Sequence, residues 1–205
     1  MITLLKELNN HAPSYIKGGA VRDILMGRTP RDYDFVFVAD TTEILESLKS
    51  EYTAVWKYDK LDIIGFAKTG EKYEACVVES LDGIHQRCDY TLNGLLLDEN
   101  DAIIGPYEWS QDASNHILRM ISRENLYSDP IRAIRGIRQK HTLDLKVESE
   151  TQSVIEEIIP KIILCDTSTP FSISRNRARK EIKKCNDAAK KELLSLGLTI
   201  PERWL

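Results

Sequence analysis

Polar and apolar residues alternate along the first half of the chain in patterns that predict strands separated by helices. From Arg31 to Val38, charged residues alternate with apolar or aromatic ones, which predicts a strand with one buried face. Residues 41–49 place three aliphatic side chains on one face of a helix, which Thr41 and Thr42 would cap. Further strands are predicted at residues 14–17, 61–67 and 72–78, a strand-like apolar stretch at 91–97, and further helices at 3–10 and 21–26.

The pattern changes near residue 112, after which the chain reads mostly as helix up to Ala189, with breaks near Pro160 and Pro170. A mixed strand and helix region followed by a helical one predicts an α+β fold. We therefore expect a mixed sheet with flanking helices over residues 1–122 and a small all-helical domain over residues 123–205.

The amino-acid composition bears on the core, on membrane association and on the cellular compartment. The 205 residues are 42% hydrophobic, enough for a core that needs no disulfides. The apolar stretch at residues 35–39 is far below the roughly 18 residues of a membrane span, so no membrane association is expected. The four cysteines lie far apart with no C-x-x-C pair, which predicts neither a disulfide framework nor a zinc cluster and favours the reduced cytoplasm.

Charge is distributed unevenly along the chain. Residues 1–110 carry 11 basic and 19 acidic side chains, whereas residues 111–205 carry 17 and 13. An acidic first half with a basic second half suits a metal-dependent site beside a polyanion. A solvated basic helix would explain the same asymmetry.

Two short motifs carry candidate chemistry. Gly18-Gly19 ends a predicted strand and opens a helix, which brings bare backbone N–H groups to a point where a phosphate can approach. Asp32 and Asp34 follow on a predicted strand, where a period of two places both carboxylates on one face. Two Mg²⁺ ions bridging these carboxylates and a triphosphate would serve phosphoryl or nucleotidyl transfer. The alternative is the polar face of an ordinary amphipathic strand.

The motif G-G-x-V-R-D followed by D-x-D resembles the catalytic head of the class II tRNA nucleotidyltransferases, which add CCA to tRNA 3′ ends. Bacterial poly(A) polymerases share this head, within the polymerase-β-like superfamily. Three later segments resemble family motifs in the family's order: residues 87–94 (RCDYTLNG), 129–138 (DPIRAIRGIR) and 173–182 (ISRNRARKEI). The resemblance spans roughly residues 15–183 and implies a polymerase-β-like head followed by a helical neck.

The resemblance implies a role for each matching residue. Asp32 and Asp34 would hold Mg²⁺, and Glu74 would be a third catalytic acid. The nucleotide would be bound by Gly18, Gly19, Arg22 and Arg87 at its phosphates, by Asp89 and Asn93 at its ribose, and by Asp129 and Arg132 at its base. Arg135 and Arg138 would contact the triphosphate or tRNA backbone, or else be solvated.

The segment that begins at Asp129 also suggests base recognition on physical grounds. On a helix, Asp129 and Arg132 are three residues apart and can share a face. A carboxylate accepts from an amino group and a guanidinium donates to ring acceptors, so the two could read the edge of cytosine or adenine. Alternatively, Asp129 caps the helix, with Pro130 at its first position.

The chain departs from the family in four places. Cys88 replaces the second Arg of R-R-D, and Ser128 replaces the Glu before the base-reading Asp. Only 12 residues separate Glu74 from Arg87, a shortening typical of relatives that add only CC. The family's C-terminal body and tail have no counterpart in residues 184–205, so a homodimer or a smaller acceptor would have to compensate.

The function expected from the sequence is Mg²⁺-dependent, template-independent transfer of CMP, and of AMP as a further option, from CTP or ATP to the 3′ end of tRNA. Basic residues from 175 to 191 would lie along tRNA phosphates. The alternatives are a poly(A)-polymerase-like enzyme, a nucleotidyltransferase with another acceptor, and a catalytically silent RNA-binding module.

Overall fold

The computed structural model describes residues 1–58, 62–165 and 171–204. The chain forms two compact units. The head unit consists of Met1–Arg87 and Leu92–Gln111, and the neck unit consists of Cys88–Thr91 and the chain from Asp112 onward. The functional boundary that we expect between residues 122 and 123 remains a prediction.

The described part of the head unit contains a seven-stranded mixed sheet in the order β3-β4-β5-β2-β1-β6-β7. Its strands are β1 (Ser14–Lys17), β2 (Asp34–Val38), β3 (Ala54–Lys57), β4 (Ile63–Lys68), β5 (Glu71–Val78), β6 (Leu96–Leu97) and β7 (Ile103–Ile104). Strands β2 and β5 are parallel, and the other neighbouring strands are antiparallel. The helices are α1 (Ile2–Asn9), α2 (Gly19–Leu25), α3 (Thr41–Leu48) and α4 (Tyr107–Ser114), the last of which crosses into the neck unit.

The centre of the sheet forms the core of the head unit. Phe35, Val36 and Phe37 of β2 are fully buried in succession, which corrects the expectation of a strand with one exposed face. The reason is the position of β2 between β1 and β5 with apolar side chains on both faces of the sheet, a position that local alternation does not reveal. Phe66 of β4 packs near both phenylalanines, with ring centroids 6.3 Å and 6.1 Å away.

Several boundaries also differ from the sequence prediction. Strand β2 begins at Asp34 rather than Arg31, because Asp34 pairs with Lys17, where β1 ends. Helix α3 is capped by Asp40, whose carboxylate accepts from the first turn of backbone N–H groups. The strand-like stretch 91–97 is a 3-10 helix followed by the two-residue β6, and β3 is a strand that the pattern did not indicate.

The neck unit is mainly helical, as predicted. Its helices are α5 (Arg123–Ser128), α6 (Ile131–Leu143), α7 (Ser149–Ile158), α8 (Arg175–Ile182) and α9 (Asp187–Ser195). The described residues add two short parallel ladders that we did not expect, formed by β8 (Ile117–Leu118) with β9 (Lys146–Val147) and by β10 (Ile163–Leu164) with β11 (Ser172–Ile173). Pro160 lies in a 3-10 helix, and the break expected near Pro170 lies outside the described residues.

Helix α6 is the centre of the neck unit. Its apolar stripe, formed by Ile131, Ile134 and Ile137, is buried. A Cβ added to Gly136 would lie 2.1 Å from the Tyr90 hydroxyl oxygen, so only glycine leaves room for that ring. The Tyr90 hydroxyl in turn donates to the carbonyl of Arg132 at 2.8 Å.

None of the helices in the described ranges has the length and apolar character that a membrane span needs.

Candidate active site

The three acidic candidates, Asp32, Asp34 and Glu74, line one cavity of the head unit together with a fourth acid, Glu71. Asp32 lies two residues before β2, Asp34 is the first residue of that strand, and Glu74 pairs with Asp34 across the parallel β2–β5 ladder. The cavity has a volume of about 750 Å³ and is also lined by Tyr58 and Lys72. The Tyr58 hydroxyl donates to Glu74 Oε1 at 2.6 Å. The structure thus brings Asp32, Asp34 and Glu74 together, although Asp32 reaches the cavity from the segment before the strand.

The pKa of the Asp34 carboxyl reflects its burial and the negative charges that lie near it in this cavity. Burial raises its pKa above the ordinary 3.8, Lys17 lowers it, and the charges of Asp32 and Glu74 raise it further. The net effect is a pKa above the ordinary value, because burial and two like charges outweigh one nearby lysine. A cation between the carboxylates would offset this repulsion.

The donor set suits a hard divalent cation. Carboxylate oxygens are the ligands that Mg²⁺ prefers, and Mg²⁺ is usually held by one or two carboxylates together with substrate phosphates. Across residues 1–58, 62–165 and 171–204, no group of three or more His, Cys, Asp or Glu side chains forms a ready-made metal cluster. The acids of this cavity therefore fit an ion that substrate oxygens help to hold, rather than a closed structural site.

The double-glycine turn lies directly beside these acids in the sheet. Lys17, the last residue of β1, pairs with Asp34, and Gly18 follows it. Gly18 has a φ of 68°, in the left-handed region where a Cβ is strained, and it immediately precedes α2. The sequence prediction of a strand that ends at Gly18-Gly19 and opens a helix is confirmed.

Arg22 folds back over this turn. Its Nη2 lies 3.4 Å from the position of a Cβ on Gly19. Its guanidinium donates to Asp23 Oδ1 from Nε at 2.8 Å and from Nη2 at 2.6 Å, and to Asn93 Oδ1 from Nη1 at 3.0 Å. The Arg22 and Asp23 side chains are both largely shielded from solvent. Because Asn93 accepts from the same guanidinium, it helps Asp23 to hold Arg22 in place.

Arg87 lies elsewhere in the head unit. It ends a 3-10 helix and lines a second cavity of about 340 Å³, together with Asp40, Asp62 and Glu79. This cavity is at the end of β2 opposite Asp34. The structure does not bring Arg87 to the cavity that the three catalytic candidates line.

Asp89 is the most buried of the candidate site residues in the neck unit, with a side chain 3% exposed. Its Oδ2 accepts from Arg135 Nη1 at 2.7 Å, and its Oδ1 accepts from the backbone N–H of Tyr90 at 2.9 Å. Asp89 therefore joins the segment before Tyr90 to helix α6. These contacts are those of a brace, whereas the ribose contact that the family implies remains a prediction.

Asp129 ends α5, and its backbone carbonyl accepts from the N–H of Arg132 at the start of α6. Its carboxylate does not take the capping role considered above, because Oδ2 accepts from Nη2 of Arg177 on α8 at 2.7 Å. Arg132 instead directs Nη1 to the carbonyl of Asn125 at 2.9 Å.

The remaining arginines of α6 also have acidic partners inside the neck unit. Arg138 Nε donates to Glu181 of α8 at 2.5 Å, and the Glu181 side chain is only 7% exposed. Arg135 forms a similar ion pair with Asp89. Both arginines are therefore ion-paired rather than solvated, a question that the local sequence pattern left open. Their contacts hold α6 to its neighbours.

The sequence did not indicate Lys17 or Tyr58 as members of these sites, and it placed Arg177 only within the basic segment 175–191 that is expected along tRNA phosphates. The sequence indicates Lys17 only as the end of a strand, because its proximity to Asp34 depends on how β1 and β2 are aligned in the sheet. Tyr58 and Arg177 contact candidates 16 and 48 residues away, respectively, so no local signal indicates them.

A mixed sheet with paired acids beside a double-glycine strand–helix turn is the arrangement of a nucleotidyltransferase head. The comparisons agree with this class. Residues 14–82 match the poly A polymerase head domain. The CCA-adding enzyme of Listeria monocytogenes is 28% identical over 163 residues, which cover 71% of this chain and 42% of that protein. The CC-adding tRNA nucleotidyltransferase of Synechocystis sp. is 30% identical and covers 71% of this chain and 36% of its own.

Solved structures show the same fold over nearly the whole chain. The Thermotoga maritima CCA-adding enzyme complexed with tRNA aligns with a TM-score of 0.79 at 22% identity and covers 95% of this chain and 50% of its own. The Bacillus stearothermophilus CCA-adding enzyme in complex with CTP aligns with a TM-score of 0.78 at 23% identity, over 97% and 52%.

These matches confirm the resemblance indicated by the motifs: residues 14–82 match the poly A polymerase head domain, and most of the chain is similar to CCA-adding and CC-adding tRNA nucleotidyltransferases. The chain spans less than half the length of these two curated relatives, 42% and 36%.

Proposed function

We propose that the protein is a template-independent nucleotidyltransferase that transfers CMP, and AMP where ATP is accepted, to the 3′ end of a tRNA. The observation that carries the proposal is the placement of Asp32, Asp34 and Glu74 in one cavity, with the Gly18-Gly19 turn adjacent in the sheet. The names of the relatives and solved structures support the choice of tRNA and CTP.

Within the head unit, Asp32 and Asp34 would hold Mg²⁺, and Glu74 would complete the acidic side of the cavity. When bound, Mg²⁺ would activate the attacking 3′-hydroxyl and neutralise charge on the departing pyrophosphate. Gly18 and Gly19 leave space for phosphate oxygens, and Arg22 offers them a guanidinium that Asp23 and Asn93 already orient. Arg87 is the weakest of the proposed phosphate contacts, because it lines another cavity.

Within the neck unit, Asp129 would accept from the exocyclic amino group of cytosine or adenine, and Arg132 would donate to ring acceptors. Asp89, Arg135 and Arg138 would keep α6 in place for this contact. The basic residues between 175 and 191 would follow tRNA phosphates.

The short connection between Glu74 and Arg87 favours addition of CC over full CCA. In the family, a longer loop at this place is implicated in the change from cytosine to adenine. The wide spacing of the four cysteines in the sequence, with no C-x-x-C pair, supports our proposal of a reduced cytoplasmic setting. A homodimer would extend the surface available to tRNA, and the mass of the protein in solution tests it.

A single assay tests the proposal. A tRNA that ends at the discriminator base is incubated with Mg²⁺ and each nucleotide, singly and together, and the products are sized on a gel. We expect two added residues with CTP. Long ATP-only tails on unstructured RNA would instead identify a poly(A)-polymerase-like enzyme.

Asp32→Ala and Asp34→Asn should abolish incorporation and leave tRNA binding roughly unchanged. The matched control is Glu46→Gln, which removes an exposed carboxylate of the head unit whose partner among the described residues is Lys49. Turnover near wild type in the two aspartate variants would refute the catalytic assignment.

A further inference from the structure

The ion pair between Asp129 and Arg177 gives the candidate base reader a partner from another helix. Arg177 Nη2 lies 2.7 Å from Asp129 Oδ2, and the two side chains are 55% and 26% exposed. Ser128 stands where the family carries the Glu before this Asp, so the neighbouring acid of that motif is absent here. The partner that the structure shows at the Asp129 carboxylate is a guanidinium 48 residues along the chain.

Helix α8 presents Arg177 from a fixed position. The Ser174 hydroxyl accepts from the N–H of Arg177 and caps the helix. Ala178 and Ile182 are buried, and Glu181 is held by Arg138 of α6 at 2.5 Å. Arg177 is therefore delivered by a helix anchored on α6, the same helix whose start Asp129 adjoins.

The contact leaves the carboxylate competent to read a base. A carboxylate has two acceptor oxygens, and Arg177 engages only Oδ2, so Oδ1 can accept from a cytosine N4 amino group. Uracil presents a carbonyl oxygen at the same position, which a carboxylate repels. Discrimination between CTP and UTP therefore depends on where Oδ1 points.

Arg132 is directed differently. Its Nη1 donates to the Asn125 carbonyl, so the guanidinium in contact with Asp129 belongs to Arg177. An arginine guanidinium constrains the direction of a carboxylate more than a lysine ammonium does, because its donors are fixed in a planar fork.

We propose that Arg177 is a positioning residue for base recognition: it fixes the direction of the Asp129 carboxylate and thereby sets the preference for CTP over UTP. The inference rests on the proposed function and deepens it, since it names the residue through which the base reader acts. Arg177 itself need not touch the nucleotide.

The test is a double-mutant cycle on the full chain with Arg177→Gln, Asp129→Asn and the double variant. For each, kcat and KM are measured for CTP and for UTP on a tRNA that ends at the discriminator base. Because the ion pair is exposed, its loss should leave the fold intact, which thermal unfolding checks. Arg179→Gln is the matched control, since it removes an exposed arginine two residues along the same helix.

We expect Arg177→Gln to lower the CTP-over-UTP preference about tenfold, within the range of one correctly placed hydrogen-bonding pair. The loss should appear mainly as a higher KM for CTP. Asp129→Asn should lower the preference at least as much, and the double variant should match Asp129→Asn alone. Arg177→Lys should restore part of the preference, and Arg179→Gln should leave the ratio between the two nucleotides unchanged.

Three results would overturn the inference. An unchanged CTP-over-UTP preference in Arg177→Gln shows that the carboxylate needs no support. Additive effects of the two substitutions show that Arg177 acts independently of Asp129, for example on RNA phosphates. Equal losses in Arg177→Gln and Arg179→Gln indicate a general charge effect. A wild-type chain that adds no nucleotide refutes the proposed function itself, and the inference with it.

Discussion

Replacing Asp89 with alanine separates two roles for this residue, because the family resemblance implies a ribose contact whereas the structure shows a buried brace. The side chain is 3% exposed and accepts from Arg135 Nη1 and from the Tyr90 N–H. Truncation would leave both donors without this acceptor. We therefore expect Asp89→Ala to lower the free energy of unfolding.

The size of the loss follows from the surroundings of the two donors. Tyr90 is fully buried, and a buried N–H without an acceptor costs about 1–3 kcal/mol. Removing one partner of a fully buried ion pair costs roughly 3–5 kcal/mol, but Arg135 is 36% exposed and can regain water, so this range is an upper bound. We expect a total loss of about 2–4 kcal/mol, which for a chain of this size lowers the unfolding midpoint by roughly 4–15 °C.

The assay is thermal and urea unfolding of Asp89→Ala, with Asp89→Asn as the conservative control. Asparagine keeps an acceptor for the Tyr90 N–H but loses the charge opposite Arg135, so it should lose less than alanine. An alanine variant with a wild-type midpoint but a changed preference between CTP and 2′-deoxy-CTP would refute the brace and support the ribose contact.

Two further predictions concern the neck unit. Gly136→Ala should lower the free energy of unfolding by about 1–3 kcal/mol, because its Cβ would meet the Tyr90 hydroxyl at 2.1 Å; an unfolding midpoint unchanged from wild type would contradict this packing. Burial opposes ionisation of Glu192, but hydrogen bonds from Lys140 and His141 outweigh it and lower the pKa of Glu192 below its ordinary 4.5. The stabilisation that ionised Glu192 gains from Lys140 and His141 is therefore fully present above the ordinary pKa, and it is lost as the pH falls through the lowered pKa of Glu192. Glu192→Gln should accordingly flatten the acid limb of the curve of stability against pH. A variant curve parallel to that of the wild type would contradict this prediction.

Much of the head unit follows from local pattern. The strands at 14–17 and 72–78 and the double-glycine turn were predicted within a residue, because alternation and turn chemistry are properties of neighbouring residues. Strand β3 and the burial of β2 on both faces were missed, since both depend on which strands become neighbours in the sheet. The D-x-D motif identified Asp32 and Asp34, and the family resemblance added Glu74 by its position on a strand, but neither could show that the three line one cavity.

The sequence by itself determined the α+β class, the change from a mixed region to a helical one and the candidate chemistry, because periodicity and motif spacing act over a few residues. Only the tertiary structure decided which side chains are partners. Asp89 meets Arg135 across 46 positions and Asp129 meets Arg177 across 48. Such pairs form only when distant segments of the chain pack together, and packing is set by the burial of apolar faces rather than by the charged residues that it brings together.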